Sequence, residues 1–130
     1  MNEREITLRE ASAIHKWWEE KVLPERKPSD RIARFLEECQ ELQELVDEDF
    51  DEKCKDSVFA KKVGYEAIDC VIVALGIIDS LGYNASQLFW EKLAINHQKY
   101  NIVENRRLRE EGLTPEEALR IQKENWSKRR

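Results

Sequence analysis

One segment of this chain, residues 70–78, is apolar at every position except a single glycine. It lies within a predicted helix over about residues 57–81, which ends at Gly82, where a residue without a Cβ adopts the left-handed conformation easily. The segment is therefore apolar around the whole circumference of its helix, and we expect it to be enclosed in a helical bundle or an oligomer. It is far shorter than the roughly 20 residues that a membrane-spanning helix requires.

Helix signals dominate the rest of the sequence, and no stretch alternates between apolar and polar residues in the manner of a strand. Thr7 and Glu10 have the spacing of a capping box, and Thr114 followed by a proline opens the last helix. The predicted helices cover about residues 8–21, 30–48 after a cap at Ser29 or Asp30, 57–81, 84–107 and a short stretch from 115. The predicted fold is all-α, a bundle of four main helices plus a short C-terminal helix, assembled as a homodimer or homotetramer.

The composition limits the number of domains and the classes of partner. A chain of 130 residues has the usual size of one domain, so we expect residues 1–105 to form the catalytic domain and the more basic residues 106–130 to form its helical extension. The net charge of -5 argues against general nucleic-acid binding, because Lys and Arg carry affinity for phosphate backbones. The N-terminus lacks the apolar run of a signal peptide, and the three cysteines form no C-x-x-C pair, which favours a cytoplasmic protein without membrane contact.

Two pairs of acidic residues have the spacing of metal ligands on helices. Glu38 and Glu41 are three residues apart, as are Glu66 and Asp69, so the members of each pair project one turn apart. The second pair precedes the apolar segment, where ionised carboxylates are costly unless a cation or hydrogen bonds compensate them. Four carboxylates that face one another across two helices would repel, and Mg²⁺, a hard cation that prefers oxygen ligands, resolves this repulsion.

Other interpretations of these acids have less support. Paired glutamates on a helix are usually a solvated face, and for Glu38 and Glu41 alone that interpretation would prevail; the apolar context of the second pair shifts the balance. A ferritin-like di-iron site needs Glu-x-x-His, and neither His15 nor His97 has a glutamate three residues before it. A zinc site is improbable because the cysteines and histidines lack close spacing.

The sequence Glu37-Glu38-x-x-Glu41 followed by Glu66-x-x-Asp69 resembles, in order and helix context, the E-E-x-x-E and E-x-x-D motifs of the MazG-like all-α NTP pyrophosphohydrolases. The resemblance spans roughly residues 17–100. It implies that a nucleoside triphosphate is cleaved between its α and β phosphates, giving a monophosphate and pyrophosphate. It also implies that these four carboxylates ligate Mg²⁺, with Mn²⁺ as an alternative ion, and that Glu38 and Glu41 act in catalysis, Glu38 by accepting a proton from the attacking water.

Further substrate-binding positions follow from the same resemblance. Lys92 and Asn96 are one helical turn apart and match phosphate-contacting positions of the family, and Lys99 extends that face, although many relatives carry Arg there. Without the acidic motifs, the two lysines would be interpreted as an exposed basic stripe. Trp17 and Trp18 point about 100° apart on the first helix. We therefore expect one of them in the core and the other against a nucleobase or a second subunit.

The predicted function is Mg²⁺-dependent hydrolysis of (deoxy)nucleoside triphosphates by a self-associating enzyme. A narrow dUTP or dCTP pyrophosphatase is the alternative within the enzymes. A catalytically silent helical oligomer that binds a partner, with the acids as surface charge only, is the alternative from a different class.

Overall fold

The computed structural model describes residues 5–23 and 27–129, and every regular element in these ranges is an α-helix. The helices are α1 Leu8–Val22, α2 Pro28–Gln43, α3 Phe50–Lys53, α4 Ser57–Ser80, α5 Ala85–Lys99, α6 Ile102–Glu110 and α7 Pro115–Lys128. The all-α prediction is confirmed. None of these helices combines the length and the apolarity that a membrane crossing requires. The ends of the two predicted domains, residues 1–4 and Arg130, lie outside the described ranges.

The predicted capping boxes start the first and last helices. The Thr7 hydroxyl accepts a hydrogen bond from the Glu10 backbone N–H at 3.0 Å, and the Glu10 carboxylate accepts one from the Thr7 backbone N–H at 3.3 Å. Thr114 and Glu117 make the same two hydrogen bonds at 3.1 and 3.2 Å, with Pro115 at the first helical position. Each box satisfies backbone donors that have no partner inside the helix, which is why these helices begin where the sequence indicates.

The predicted fourth helix, residues 84–107, is instead two helices, α5 and α6. The chain leaves the helical conformation at Asn101, whose ψ of 129° is extended, and the Asn101 side chain accepts a hydrogen bond from the Glu104 backbone N–H at 3.0 Å. This N-cap gives α6 a beginning of its own. The count of four main helices plus a short one is therefore wrong: among the described residues six helices have nine residues or more, and α3 is a single turn in the acidic loop.

Two other predicted boundaries are also corrected. The second helix begins at Pro28 and ends at Gln43, before the predicted end near residue 48, and the predicted cap residues Ser29 and Asp30 lie inside its first turn. Proline suits that first turn because its missing N–H would have no partner there. The last helix has 14 residues and is not short.

The described residues form two compact units that divide between Ser86 and Gln87. In the first unit α4 packs against both α2 and α1. Arg31 lies against Gly76, whereas Glu38, seven residues later on α2, lies against Asp69, seven residues earlier on α4. The helices α2 and α4 therefore run antiparallel.

The apolar segment of α4 is enclosed only in part. Val73, Leu75 and Gly76 are buried, but Val71 keeps 46% of its surface exposed. The expectation that this segment is surrounded on all sides is not met within the described chain, because α1 and α2 cover only part of its circumference. Part of the apolar surface of α4 therefore remains exposed in the described chain.

The second unit contains the packed helices α6 and α7. Leu108 and Ala118 are buried, and Gln122 is only 1% exposed. The Gln122 side chain accepts a hydrogen bond from Asn105 Nδ2 and donates one to the Asn101 carbonyl, both at 2.9 Å. A buried amide of this kind is tolerated because its donor and acceptor groups are both paired. The predicted division into a catalytic domain, residues 1–105, and its helical extension, residues 106–130, stays a prediction.

Candidate metal centre

Helices α2 and α4 bring three of the four predicted ligands together. Glu38, Glu66 and Asp69 each offer a carboxylate oxygen, and these three oxygens all lie within 4.8 Å of one another. The spacing of three residues places Glu66 and Asp69 on one face of α4, and α2 packs against that helix. Burial raises the pKa of the Cys70 thiol, and the neighbouring Cys39 raises it further, so the residues that follow Glu38 and Asp69 are also close to each other.

The three carboxylates differ in their access to solvent. The Glu38 side chain is 14% exposed, Glu66 is half-buried, and Asp69 is exposed. Glu66 Oε2 is buried and has no hydrogen-bond partner among the described residues. A buried carboxylate oxygen without a partner is costly, and a small cation is one group that would satisfy it. The site thus has an inner, unsatisfied oxygen and an outer side that faces water, which suits an ion that keeps part of its hydration shell.

Crowding of negative charge perturbs Glu38 most clearly. Burial raises the pKa of Glu38 above its ordinary value, and the charge and hydrogen bond of Glu41 and the charge of Asp69 raise it further. The guanidinium of Arg34 acts in the opposite direction. The carboxylates of the site therefore repel one another, and a bound divalent cation would offset that repulsion.

Glu41, the fourth predicted ligand, lies beside the group of three. It is exposed, and its charge and hydrogen bonding raise the pKa of Glu38. Glu41 is thus adjacent to the site through Glu38, outside the group of three oxygens.

Arg34 is a residue of this region that the sequence analysis missed. Its Nη2 lies 3.9 Å from Glu38 Oε1, and its side chain is 42% exposed. It also lines a small recess together with His15 and Trp18 of α1. The signal was available, because Arg34 precedes Glu38 by four residues and so lies one turn away on the same helical face.

A second polar cluster, formed by Glu19, His15 and Arg31, was also missed. Glu19 is only 7% exposed; His15 Nε2 lies 2.9 Å from Glu19 Oε2, and Arg31 Nη1 pairs with Glu19 Oε1. Burial lowers the pKa of His15, as do the charges of Arg31 and Arg34, while Asp79 raises it. We therefore assign a neutral imidazole whose Nε2–H donates to Glu19.

The cluster lies against α4 at Gly76 and opens into a pocket of about 80 Å³. A Cβ at Gly76 would lie 3.3 Å from Glu19 Oε2, so any larger residue would have to push the buried carboxylate away from the helix backbone. The pocket is lined by Ser12, His15, Lys16, Glu19, Glu20, Leu23, Arg31, Gly76 and Asp79.

The adjacent tryptophans are both on the surface. Trp17 is 64% exposed and Trp18 is 41% exposed, so the expectation that one of them lies in the core is wrong. Trp18 stacks on His15, with ring centroids 5.7 Å apart and an angle of 24° between the planes. Their helix is too thinly covered to enclose either indole, since α1 packs mainly against α4.

The predicted phosphate-contacting residues lie in the second compact unit, on α5. Lys92 is exposed, whereas Asn96 and Lys99 are half-buried. The Lys99 ammonium lies 5.1 Å from the centroid of the Tyr100 ring, a cation–π arrangement. The substrate-binding roles of Lys92, Asn96 and Lys99 stay predictions.

Compared with models of known protein families, with curated protein sequences and with solved structures, the chain shows no significant match.

Proposed function

We propose that this protein is a Mg²⁺-dependent nucleoside triphosphate pyrophosphohydrolase that releases pyrophosphate from (deoxy)nucleoside triphosphates. The observation that carries the proposal is that Glu38, Glu66 and Asp69 bring three carboxylate oxygens within 4.8 Å of one another. In addition, Glu66 Oε2 is buried, and no described group satisfies it. The order of these residues along the chain is also the order in the MazG-like motifs that the sequence resembles.

The residues present fit a hard divalent cation. Glu38, Glu66 and Asp69 would hold it, and Glu41 would complete the set after releasing its hydrogen bond to Glu38. Mg²⁺, or Mn²⁺ in its place, would offset charge on the triphosphate and make a bound water more acidic. Glu38 would accept the proton of the water that attacks the α phosphorus. The charge of Glu41 beside it would favour the protonated form of Glu38.

The remaining substrate contacts belong to the same proposal. Lys92, Asn96 and Lys99 would contact phosphate oxygens, a role for which ammonium and amide donors are suited. Trp17 and Trp18 are exposed and so are available to stack on a nucleobase, and Trp18 already stacks on His15. A narrow preference for dUTP or dCTP is the alternative specificity, and a silent, partner-binding oligomer is the alternative without catalysis.

We also propose that the protein self-associates as a dimer or tetramer through the first unit. The proposal draws on Tyr65, Ile68 and Val71, large apolar side chains that follow one another at intervals of three residues on α4 and are between 46% and 61% exposed. Clustered exposed apolar residues are typical of interfaces. Sedimentation velocity should give a mass above that of the 15.5 kDa monomer, and Ile68→Lys should lower it, whereas Val103→Lys in the second unit should not. A monomeric wild-type protein would contradict the proposal.

The deciding experiment for the activity is pyrophosphate release from a panel of canonical and modified nucleoside triphosphates, with Mg²⁺ and then with EDTA. We expect release that EDTA abolishes, and loss of release in Glu66→Gln, which keeps the shape of the side chain but cannot ligate as a carboxylate. Glu48→Gln is the matched control, because it removes the same charge from an exposed position outside both acidic motifs. The absence of release from every nucleotide would favour the silent oligomer.

A further inference from the structure

We infer that Arg34 is a phosphate-binding residue of the site: it leaves Glu38 and contacts the triphosphate when the cation is bound. The inference rests on the proposed function, since it assigns the substrate contact of the same site. Arg34 is absent from the motifs that the sequence resembles, and only its position in the structure points to this role.

The first step of the argument is position. Arg34, Glu38 and Glu41 follow one another at intervals of four and three residues, so all three project from one face of α2. Within the part of the chain that the structure describes, no other Lys or Arg comes within 4.0 Å of the carboxylates of Glu38, Glu66 or Asp69. Arg34 is therefore the cation that a ligand of this group meets first.

The second step is the weakness of the present contact. The closest approach of Arg34 to Glu38 is 3.9 Å, longer than a hydrogen bond, and 42% of the arginine side chain is exposed. Water screens an ion pair whose arginine is this exposed, and no hydrogen bond has to be broken to release Arg34. Its long side chain can then reach a ligand that sits over the carboxylates.

The third step is charge. Three or four carboxylates exceed the charge of one Mg²⁺, and a triphosphate adds further negative charge. Once the Glu38 carboxylate is bound to a cation, its attraction for Arg34 is reduced, and the planar guanidinium matches two phosphate oxygens better than one shared carboxylate. The same cation binding that occupies Glu38 thus frees Arg34 for the phosphates.

Arg34 also gives the substrate a direction. It lines a recess with His15 and Trp18, so it lies between the carboxylates and the stacked ring pair of α1. A phosphate held by Arg34 would leave the nucleoside on the side of these rings.

The test measures binding separately from turnover. Isothermal titration calorimetry with inorganic tripolyphosphate in the presence of Mg²⁺ reports the phosphate contact, and Mn²⁺ titrated alone, followed by electron paramagnetic resonance, reports the cation site. We expect Arg34→Gln to weaken tripolyphosphate binding by about 10- to 100-fold, the loss of a charged hydrogen bond. Affinity for Mn²⁺ should be unchanged or higher, because a nearby positive charge has been removed. In hydrolysis, KM should rise more than kcat falls.

Arg107→Gln is the matched control, because Arg107 forms the same type of i,i+4 pair, with Glu111 at 2.8 Å, in the second unit. It should leave both affinities unchanged. Arg34→Lys keeps the charge without the fork and should bind tripolyphosphate with intermediate affinity. If Arg34→Gln does not fold, Arg34→Lys decides the question, and equal affinity to wild type would overturn the inference.

Failure of this inference is distinguishable from failure of the proposed function. Unchanged tripolyphosphate affinity in Arg34→Gln, or a parallel loss of Mn²⁺ binding, would overturn the role of Arg34 while leaving EDTA-sensitive hydrolysis by the wild-type protein in place. Tripolyphosphate binding that depends on Arg34, without any hydrolysis of nucleotides, would support the inference and contradict the enzymatic function. A wild-type protein that binds no tripolyphosphate would overturn both.

Discussion

Glu38→Gln should stabilise the metal-free protein and abolish its stabilisation by Mg²⁺. Glu38 lies within 4.8 Å of two other carboxylate oxygens, from Glu66 and Asp69. Each such pair repels by about 0.9 kcal/mol in water and about 3.5 kcal/mol at an effective dielectric constant of about 20. The attraction lost at 3.9 Å from Arg34 is about 1 to 4 kcal/mol over the same range, so the net gain is about 1 to 3 kcal/mol.

The pH dependence has a definite sign. The pKa of Glu38 lies above its ordinary value of 4.5, so the folded protein holds this proton more tightly than the unfolded chain does. The free energy of unfolding of the metal-free protein therefore falls as the pH rises from 4.5 through the pKa of Glu38 in the folded state. Glu38→Gln should remove this decline. Its advantage over wild type should then be largest at neutral pH and vanish in acid.

The assay is thermal unfolding followed by circular dichroism, with and without Mg²⁺. For a chain of this size about 1 kcal/mol corresponds to about 4 °C, so the metal-free variant should have a Tm about 4 to 12 °C above wild type. Mg²⁺ at a hundred times its Kd should add about 2.7 kcal/mol to wild type and much less to the variant. Glu48→Gln should behave as wild type. A metal-free Glu38→Gln protein no more stable than wild type, or an equal response of both to Mg²⁺, would refute the reasoning.

Three further predictions concern the first and second units separately. Gly76→Val should destabilise by about 1 to 3 kcal/mol because its side chain would collide with the buried Glu19 carboxylate. Gly64→Ala, also within α4 but with no atom within 4 Å of its new Cβ, should stabilise by about 0.5 to 1 kcal/mol, and urea denaturation of both variants checks the contrast. The pKa of His15 lies below 6.5, so folding stability should fall as the pH drops below that value, and this decline should be absent in His15→Gln when the two are compared by urea denaturation. Thr114→Ala should cost about 1 kcal/mol through the lost cap of α7, and greater amide hydrogen exchange in that helix would show it.

Much of the local structure was predictable because it depends on neighbouring residues. Thr7 and Thr114 mark helix starts through hydrogen bonds that span only three residues. Gly82, with φ of +84°, marks the end of α4 because other residues rarely adopt that conformation. The break at Asn101 was missed because the surrounding sequence is compatible with a continuous helix, and the asparagine cap competes successfully only once α6 packs against α7.

The spacing of the carboxylates was predictable, but their surroundings were not. The interval of three residues on a helix fixes the relation of Glu66 to Asp69, whatever the rest of the chain does. The buried state of Glu19 depends on partners from three helices, which are His15 on α1, Arg31 on α2 and the close approach of Gly76 on α4. No local pattern contains that information, and on α1 alone a glutamate next to another glutamate is typical of a solvated face.

The two polar clusters of the first unit are related by the antiparallel packing of α2 and α4. Arg31 precedes Glu38 by seven residues, and Gly76 follows Asp69 by seven, so both helices separate the clusters by about 10 Å along their axes. One cluster is acidic and the other is paired around Glu19, and each keeps one buried polar atom without a partner among the described residues, Glu66 Oε2 in the first and Arg31 Nε in the second. A buried pair of the second kind adds little stability in itself, but it costs much to break, so it fixes α1 against α2 and α4. His15 is held by Glu19 on one side and stacks on Trp18 on the other. The two stacked rings, which line a recess with Arg34, are therefore held in place as well. Under the proposed function, the cation and the phosphates would lie at the carboxylates of α2 and α4, and the rings of His15 and Trp18 would offer a fixed aromatic surface for the nucleoside.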